Sequence, residues 1–329
     1  MNEDSIIQFQ DLEDIPGIGS ITAERLREIG IFTPKQLSLY GIDELSSLLD
    51  LTDYTRINRA LMNVRRVFRP QRIVTAAEYS STRLRFPRIT TGVESIDQLL
   101  LGGVEPRCIY EVVGEYGTGK SHFCFQLSTT VQLTTNRKGV YGKVFYIDSE
   151  GTFSDKRVQK MAERFNIEDP LENIFISQPM NVDEQIDCIR SNVPKHIEYD
   201  AVKLVILDGL VSHIRAEYRG REMLVARQQT LNYMLNFLLR IAMLYNVYVV
   251  ITNQVVAKPV LRGGLTAAGG HVVAHGTTHR LFFTRYTASS VKKSLRSSIR
   301  RIVVEDSPYL QKGDAAIFAI SEDGLVDVQ

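Results

Sequence analysis

Cysteine is scarce in this chain. Cys108, Cys124 and Cys188 are spread through 329 residues, odd in number and without the close spacing of metal ligands. That excludes a disulfide scaffold and a thiolate-zinc module; the three read as small buried hydrophobes in a reducing compartment, the cytoplasm. Long apolar runs are missing too: nothing approaches the roughly 20 residues needed to span a bilayer. The start, Met1-Asn2-Glu3-Asp4, is acidic and carries no signal-like apolar core, so no membrane role is expected. A third absence is local. Between Met223 and Val304 there is no Asp or Glu, while Arg227, Arg240, Lys258, Arg262, Arg280, Arg285, Lys292, Lys293, Arg296, Arg300 and Arg301 all fall there. Because the net charge is only +1, the remainder is acidic on balance. Segregation of this kind suggests a local polyanion site; its bland alternative is a solvated basic face.

What is present is ordinary for a soluble globular chain: 44% hydrophobic and 23% charged residues. The length favours one large domain with a smaller companion. Residues 1–66 read as a small all-helical domain. Ile15-Pro16-Gly17-Ile18-Gly19 followed by Ile21-Thr22-Ala23-Glu24-Arg25-Leu26 has the form of a helix-hairpin-helix, whose Gly17 and Gly19 N–H groups suit a DNA phosphate. A bundle serving only as a protein adaptor is the alternative. Thr33, Pro34 and Gln36 predict a capped helix start with a capping box. Residues 67–89 form a basic linker broken by Pro70 and Pro87, in which Ile73-Val74-Thr75-Ala76 is a short β-prone apolar patch. It is expected either to pack on its own core or to add to a neighbouring subunit's sheet edge.

Residues 90–329 alternate strand and helix. Strands are placed at Cys108–Val113, Val144–Asp148, Leu204–Asp208 and Val247–Thr252, with helices near Lys120–Leu133, Lys156–Arg164, Val182–Asn192 and Val225–Leu244. Ile299–Glu305 and Ala315–Ile320 read as added antiparallel strands. Near-continuous apolar strands fit a mostly parallel sheet covered on both faces, an α/β fold.

Gly114-Glu115-Tyr116-Gly117-Thr118-Gly119-Lys120-Ser121 fits GxxxxGK[ST] at every fixed position and lies between a strand and a helix that opens with His122. Glycines let the backbone curl its N–H groups around phosphates, Lys120 reaches the terminal phosphates, and the Ser121 hydroxyl suits Mg²⁺. A turn that merely joins strand to helix has no need of Lys-Ser at its end. Leu204–Leu207 ends in Asp208, a second metal candidate. Tyr146-Ile147-Asp148-Ser149-Glu150 offers Glu150 as the group that polarises an attacking water. Ile251-Thr252-Asn253 leads to Gln254, a candidate γ-phosphate sensor. Two basic, Gly-containing segments follow strand ends: Arg215 to Arg221 with Tyr218 interleaved, and Lys258 to Gly270 with Arg262, Gly263, Gly264, Gly269 and Gly270. Basic residues beside an aromatic suit phosphate contact and base stacking on single strands. Ordinary surface loops are the alternative.

In this order, the hairpin module, Gly114–Ser121, Asp148-Ser149-Glu150-Gly151-Thr152-Phe153, Arg215–Gln228, Thr252-Asn253-Gln254-Val255 and Asp306-Ser307-Pro308 make the chain resemble, over nearly its whole length, RecA-superfamily DNA strand-exchange recombinases of the archaeal RadA type. The resemblance implies a RecA-like core and ATP-dependent self-association into a filament or ring. It implies single- and double-stranded DNA as partners, and ATP with Mg²⁺ between subunits. It also implies Arg157 against adenine, His275, Asp306 and Pro308 supplied by the neighbour, and Arg215, Tyr218, Arg221 and Arg227 as the first DNA loop. Lys258 to Gly270 would be the second, and Ile73 with Ala76 the subunit link. A mediator paralogue or ATP-gated DNA adaptor with weak exchange is the alternative. The chain departs from the family at Ile73 (usually Phe), Ser154-Asp155 (usually Arg-Pro), Gly209 (usually Ser) and a long basic stretch, Thr287 to Arg301.

Overall fold

The computed structural model describes residues 9–50, 55–69, 73–257, 265–286 and 298–328. Lys258, Arg262, Gly263, Gly264 and the greater part of Thr287 to Arg301 lie outside them.

Four helices come first: α1 (Ser20–Glu28), α2 (Pro34–Leu37), α3 (Ile42–Leu48) and α4 (Thr55–Phe68). The Thr33 hydroxyl caps α2 by accepting the Gln36 N–H at 3.1 Å, and the Gln36 side chain answers by accepting the Phe32 N–H at 2.7 Å. Linker helix α5 (Ala76–Arg83) is capped by Thr75 and Glu78. In the single chain Ile73 to Thr75 form no strand, and Ala76 opens a helix, because the Thr75–Glu78 capping box nucleates a turn. Nor does the patch pack on its own core, since Ile73 is fully exposed.

After α6 (Glu94–Leu99), the core alternates β1 (Ile109–Gly114), α7 (Lys120–Thr130), β2 (Lys143–Asp148), α8 (Asp155–Arg164), β3 (Ile174–Ser177), α9 (Val182–Asp187), α10 (Val193–Tyr199), β4 (Val202–Asp208), α11 (Ser212–Glu217), α12 (Leu224–Tyr245) and β5 (Tyr248–Asn253). A two-stranded ribbon, β6 (Val255–Ala257) with β7 (Leu265–Ala267), precedes α13 (Gly270–Gly276). Last come β8 (His279–Arg285), β9 (Ile299–Asp306), β10 (Ala315–Ser321) and β11 (Gly324–Asp327).

Nine strands form one sheet in the order β11-β10-β9-β8-β1-β5-β4-β2-β3. From β8 to β3 every pairing is parallel; β9, β10 and β11 add antiparallel at the other side. β1 and β5 are buried along their whole length, which is why they read as unbroken apolar runs. Three strands of this sheet were not assigned from sequence. β3 is a four-residue edge, β11 is equally short, and β8 interrupts its apolar positions with His279, Arg280 and Thr284. The helix placed at Val182–Asn192 runs on to Tyr199 through a π-turn at Cys188–Asn192, which absorbs Pro194, a residue without an N–H to donate.

The N-terminal helices share one apolar cluster with the sheet face under α12. Tyr40 meets Phe237 edge-on at 5.3 Å, Tyr233 donates to Glu44 at 2.5 Å, and the Lys35 ammonium sits 4.4 Å from the Tyr245 ring centre. Among the described residues no helix is long and apolar enough to cross a membrane.

Candidate nucleotide site and its coupling to the loops

β1, β5, β4 and β2 lie side by side and end nearly flush: Val113 pairs with Asn253, Leu207 with Ile251, and Asp148 with Asp208. Their polar ends therefore share one edge, which is where ligands settle in open parallel sheets.

At the end of β1 the loop Gly114–Ser121 turns into α7. Gly119 caps that helix at φ +101°, and a Cβ there would meet Ile320 Cδ1 at 2.8 Å, so both backbone and space require glycine. Thr118 ties the loop to itself by donating to the Glu115 carbonyl at 2.8 Å. Lys120 spans the loop mouth, its ammonium donating to the Gly114 and Glu115 carbonyls at 3.0 and 2.9 Å. Burial pulls its pKa down, against the opposing charges of Glu150 and Asp208. Arg285 of β8 and Arg300 of β9 donate to the Tyr116 and Gly117 carbonyls, bracing the loop from the antiparallel side. His122 is held neutral, its pKa lowered to about 4 by burial and by the charges of Arg157 and Arg300. Arg157 donates to the Ser321 and Glu322 carbonyls, which fixes it at the β10–β11 turn.

Asp208 is buried and accepts from Thr252 and Tyr146, each at 2.6 Å. Burial raises its pKa, opposed by those two bonds and by the Ser121 hydroxyl. Ser121 and Asp208 thus form an oxygen-only donor pair, the chemistry of a hard divalent cation such as Mg²⁺. Lys120, the loop N–H groups and this pair fit a magnesium nucleotide.

Asp148 has a structural role. Its carboxylate accepts the Thr152 and Phe153 N–H groups at 3.0 Å and the Gln178 amide at 3.1 Å, folding the chain so that Glu150 stands at the edge. Glu150 Oε1 accepts from the Gln254 amide at 2.8 Å and from Ser212 at 3.1 Å; Gln254 Oε1 in turn accepts from Arg215 at 3.1 Å. Gly209, at φ +100°, makes room for this: a Cβ there would lie 2.7 Å from Glu150 Cγ. The departure at Gly209 is therefore coupled to the position of Glu150.

The two loops are anchored differently. Arg215 lies exposed on α11, Tyr218 packs against the core with its hydroxyl bonded to Thr230, Arg221 is exposed, and Arg227 sits half-buried in the first turn of α12. In the second segment, Gly269 and Gly270 start α13. Asn253 fastens that segment by donating to the Ala268 carbonyl at 2.8 Å and to Glu111 at 2.7 Å; Glu111 also binds Arg280 at 2.6 Å. Sequence reasoning missed this buried network, although a lone Glu inside an apolar strand is the signal that marks it. Tyr146, Thr252 and Ser212 were missed as well.

His275, Asp306 and Pro308 are not brought to this edge. β1 and β8 run parallel with Tyr110 beside His279, and Arg280 pairs with Asp306, so Asp306 falls at the opposite edge of the sheet, while His275 sits on α13 beside Gln228 and Asn232 of α12. Ile73 and Ala76 are exposed.

The family model described as Rad51 matches residues 82–328. The chain belongs to the Rad51 family. It is 37% identical over 324 residues to the DNA repair and recombination protein RadA of Aeropyrum pernix, covering 97% of this chain and 98% of that one. It is 34% identical over 328 residues to the protein of the same description from Metallosphaera sedula, covering 98% and 97%. Within the Rad51 family this chain is of the RadA type, and its nine-stranded sheet is the RecA-like core.

Proposed function

We propose that the chain is an ATP-hydrolysing recombinase that assembles on single-stranded DNA and exchanges strands with a homologous duplex. Its role in homologous recombination follows from its family; the hydrolytic and DNA-contacting parts rest on the site. The observation that carries the reading is the relay Arg215–Gln254–Glu150, which joins an exposed arginine of α11 to a carboxylate at the nucleotide edge through two side-chain hydrogen bonds.

Bound ATP supplies the phosphoryl group and Mg²⁺ the charge compensation for its transfer. The loop Gly114–Ser121 and Lys120 would hold the phosphates, Ser121 and Asp208 would hold the cation, and Arg157 would serve the base. Glu150 accepts a proton from the attacking water. Gln254 and Ser212 orient Glu150, so a DNA phosphate that draws Arg215 away frees the Gln254 carbonyl to rearrange and changes how Glu150 is held. DNA thereby sets the rate of hydrolysis. His275 on α13, and Asp306 with Pro308 beyond β9, are supplied to a neighbour's nucleotide, and Ile73 with Ala76 joins the subunits.

The test is ATP hydrolysis with and without single-stranded DNA, with negative-stain images of the same samples. Stimulated turnover with helical filaments is expected, and Glu150→Gln keeps filaments while losing turnover. Wild-type turnover in Glu150→Gln would remove Glu150 as the base.

A further inference from the structure

A second basic site lies at the seam between the N-terminal helices and the core, away from the first loop. Helix α4 and its continuation carry Arg65, Arg66 and Arg69; α12 brings Arg240 to the same groove, a cavity of about 660 Å³ also lined by Leu39 and Met62. Arg240 is 13 residues beyond Arg227 on α12, about 20 Å along the helix axis from the first loop.

Four guanidinium groups here face one carboxylate. Among the described residues the only ion pair made by these four arginines is Arg240 with Glu44 at 3.7 Å, and Glu44 already accepts from Tyr233 and from the Gly41 N–H. From residue 55 to residue 69 the chain has no Asp or Glu at all. The arginines are spread over backbone carbonyls instead: Arg65 on Tyr40 at 2.6 Å, Arg69 on Ser38 at 3.1 Å, Arg240 on Leu39 at 2.9 Å. The Arg65 Nε–H is buried with no acceptor. Burial and mutual repulsion lower the pKa of Arg65 and Arg69, the mark of cations packed without a counter-charge. Concentrated positive charge with an unpaired guanidinium donor matches the charge and bidentate geometry of phosphate oxygens.

We infer that this groove binds clustered phosphate groups, drawn either from a DNA backbone or from a free polyphosphate, and that occupancy fastens the N-terminal helices to α12. The occupant satisfies Arg66 and the free donors of Arg65, Arg69 and Arg240 together.

The chain has no tryptophan, so Met62→Trp, at a half-exposed position in the groove, gives a single local reporter. The P-loop is first saturated with Mg²⁺ and a non-hydrolysable ATP analogue. Tripolyphosphate, a short blunt DNA duplex and an acidic peptide are then titrated separately against full-length protein. A saturable fluorescence change with tripolyphosphate or duplex is expected, weakened about 100-fold by Arg66→Ala with Arg69→Ala, as for two lost charge-assisted contacts. Arg66→Ala alone, which removes no hydrogen bond of the fold, weakens it about tenfold and guards against a folding defect in the pair. Tighter response to tripolyphosphate assigns the site to free polyphosphate, tighter response to duplex assigns it to the DNA backbone, and calorimetry on unlabelled protein must agree. Silence with both phosphate probes, a response unmoved by the Arg66/Arg69 pair, or a response to the peptide alone overturns the inference. None of these outcomes depends on ATP turnover, so failure here leaves the proposed function standing.

Discussion

Replacing Glu105 tests how the core holds the segment that carries Asp306 and Pro308. Glu105 is 4% exposed and accepts from Arg83 at 2.6 Å, Tyr309 at 2.7 Å, His279 at 3.1 Å and Arg88 at 3.1 Å. His279 also meets the Ser307 hydroxyl at 3.0 Å, so one carboxylate connects linker helix α5, strand β8 and the 306–309 turn. Burial works against its charge; the bonds from His279, Arg83 and Tyr309, with the field of Arg88, outweigh burial and hold the pKa at about 2 against an ordinary 4.5. A depressed carboxylate stabilises the fold fully above the unfolded-state value and loses that contribution as pH falls through the folded value. The gap corresponds to about 3 kcal/mol at neutral pH and roughly 1 kcal/mol at pH 3. Glu105→Gln keeps the shape and removes the charge. Urea unfolding at a series of pH values should show the variant about 3 kcal/mol less stable near pH 7, with the deficit shrinking to less than half by pH 3. A deficit that stays constant across that range, or one below about 0.5 kcal/mol at pH 7, refutes the reasoning.

Three other outcomes are expected. Gln254→Ala breaks the relay to Arg215, so stimulation of ATP hydrolysis by single-stranded DNA falls about tenfold or more while fluorescence anisotropy still reports DNA binding; full stimulation would count against the relay. Gly209→Ala imposes a left-handed alanine and crowds Glu150, lowering stability by about 1–2 kcal/mol and turnover with it, measured by thermal melting and steady-state kinetics. Ala76→Glu puts an acid in the first turn of α5, which favours the helix by about 0.5 kcal/mol, so the melting temperature holds while light scattering shows monomers; persistent assemblies would remove this segment from the interface.

Much of the nucleotide edge was legible because its signals are local. A buried parallel strand must be apolar along its length, so Cys108–Val113 and Leu204–Asp208 announced themselves within a residue or two, and a phosphate loop needs its glycines and Lys-Ser in fixed sequence. The capped start of α2 at Thr33 was readable for the same reason. Where partners are distant in the chain, sequence carried no such signal. Ile73–Ala76 read as β-prone by composition, but the capping box at Thr75 and Glu78 makes a helix start there. Strand β8 was hidden because His279 and Arg280 are polar, and they are tolerated in the interior only because Glu105 and Glu111, from another part of the chain, lie against them.

The sequence by itself determined the α/β pattern, the phosphate loop and the three polar strand ends, since each follows from residue type and short-range spacing. Only the tertiary structure decided that β5 lies between β1 and β4, which sets Gln254 against Glu150 and Arg215. It also decided that Asp306 lies at the opposite edge, and that Arg65, Arg66 and Arg69 meet Arg240 where the N-terminal helices pack beside α12. Strand order and helix docking are fixed by which apolar surfaces bury one another over long separations, and no local spacing encodes that.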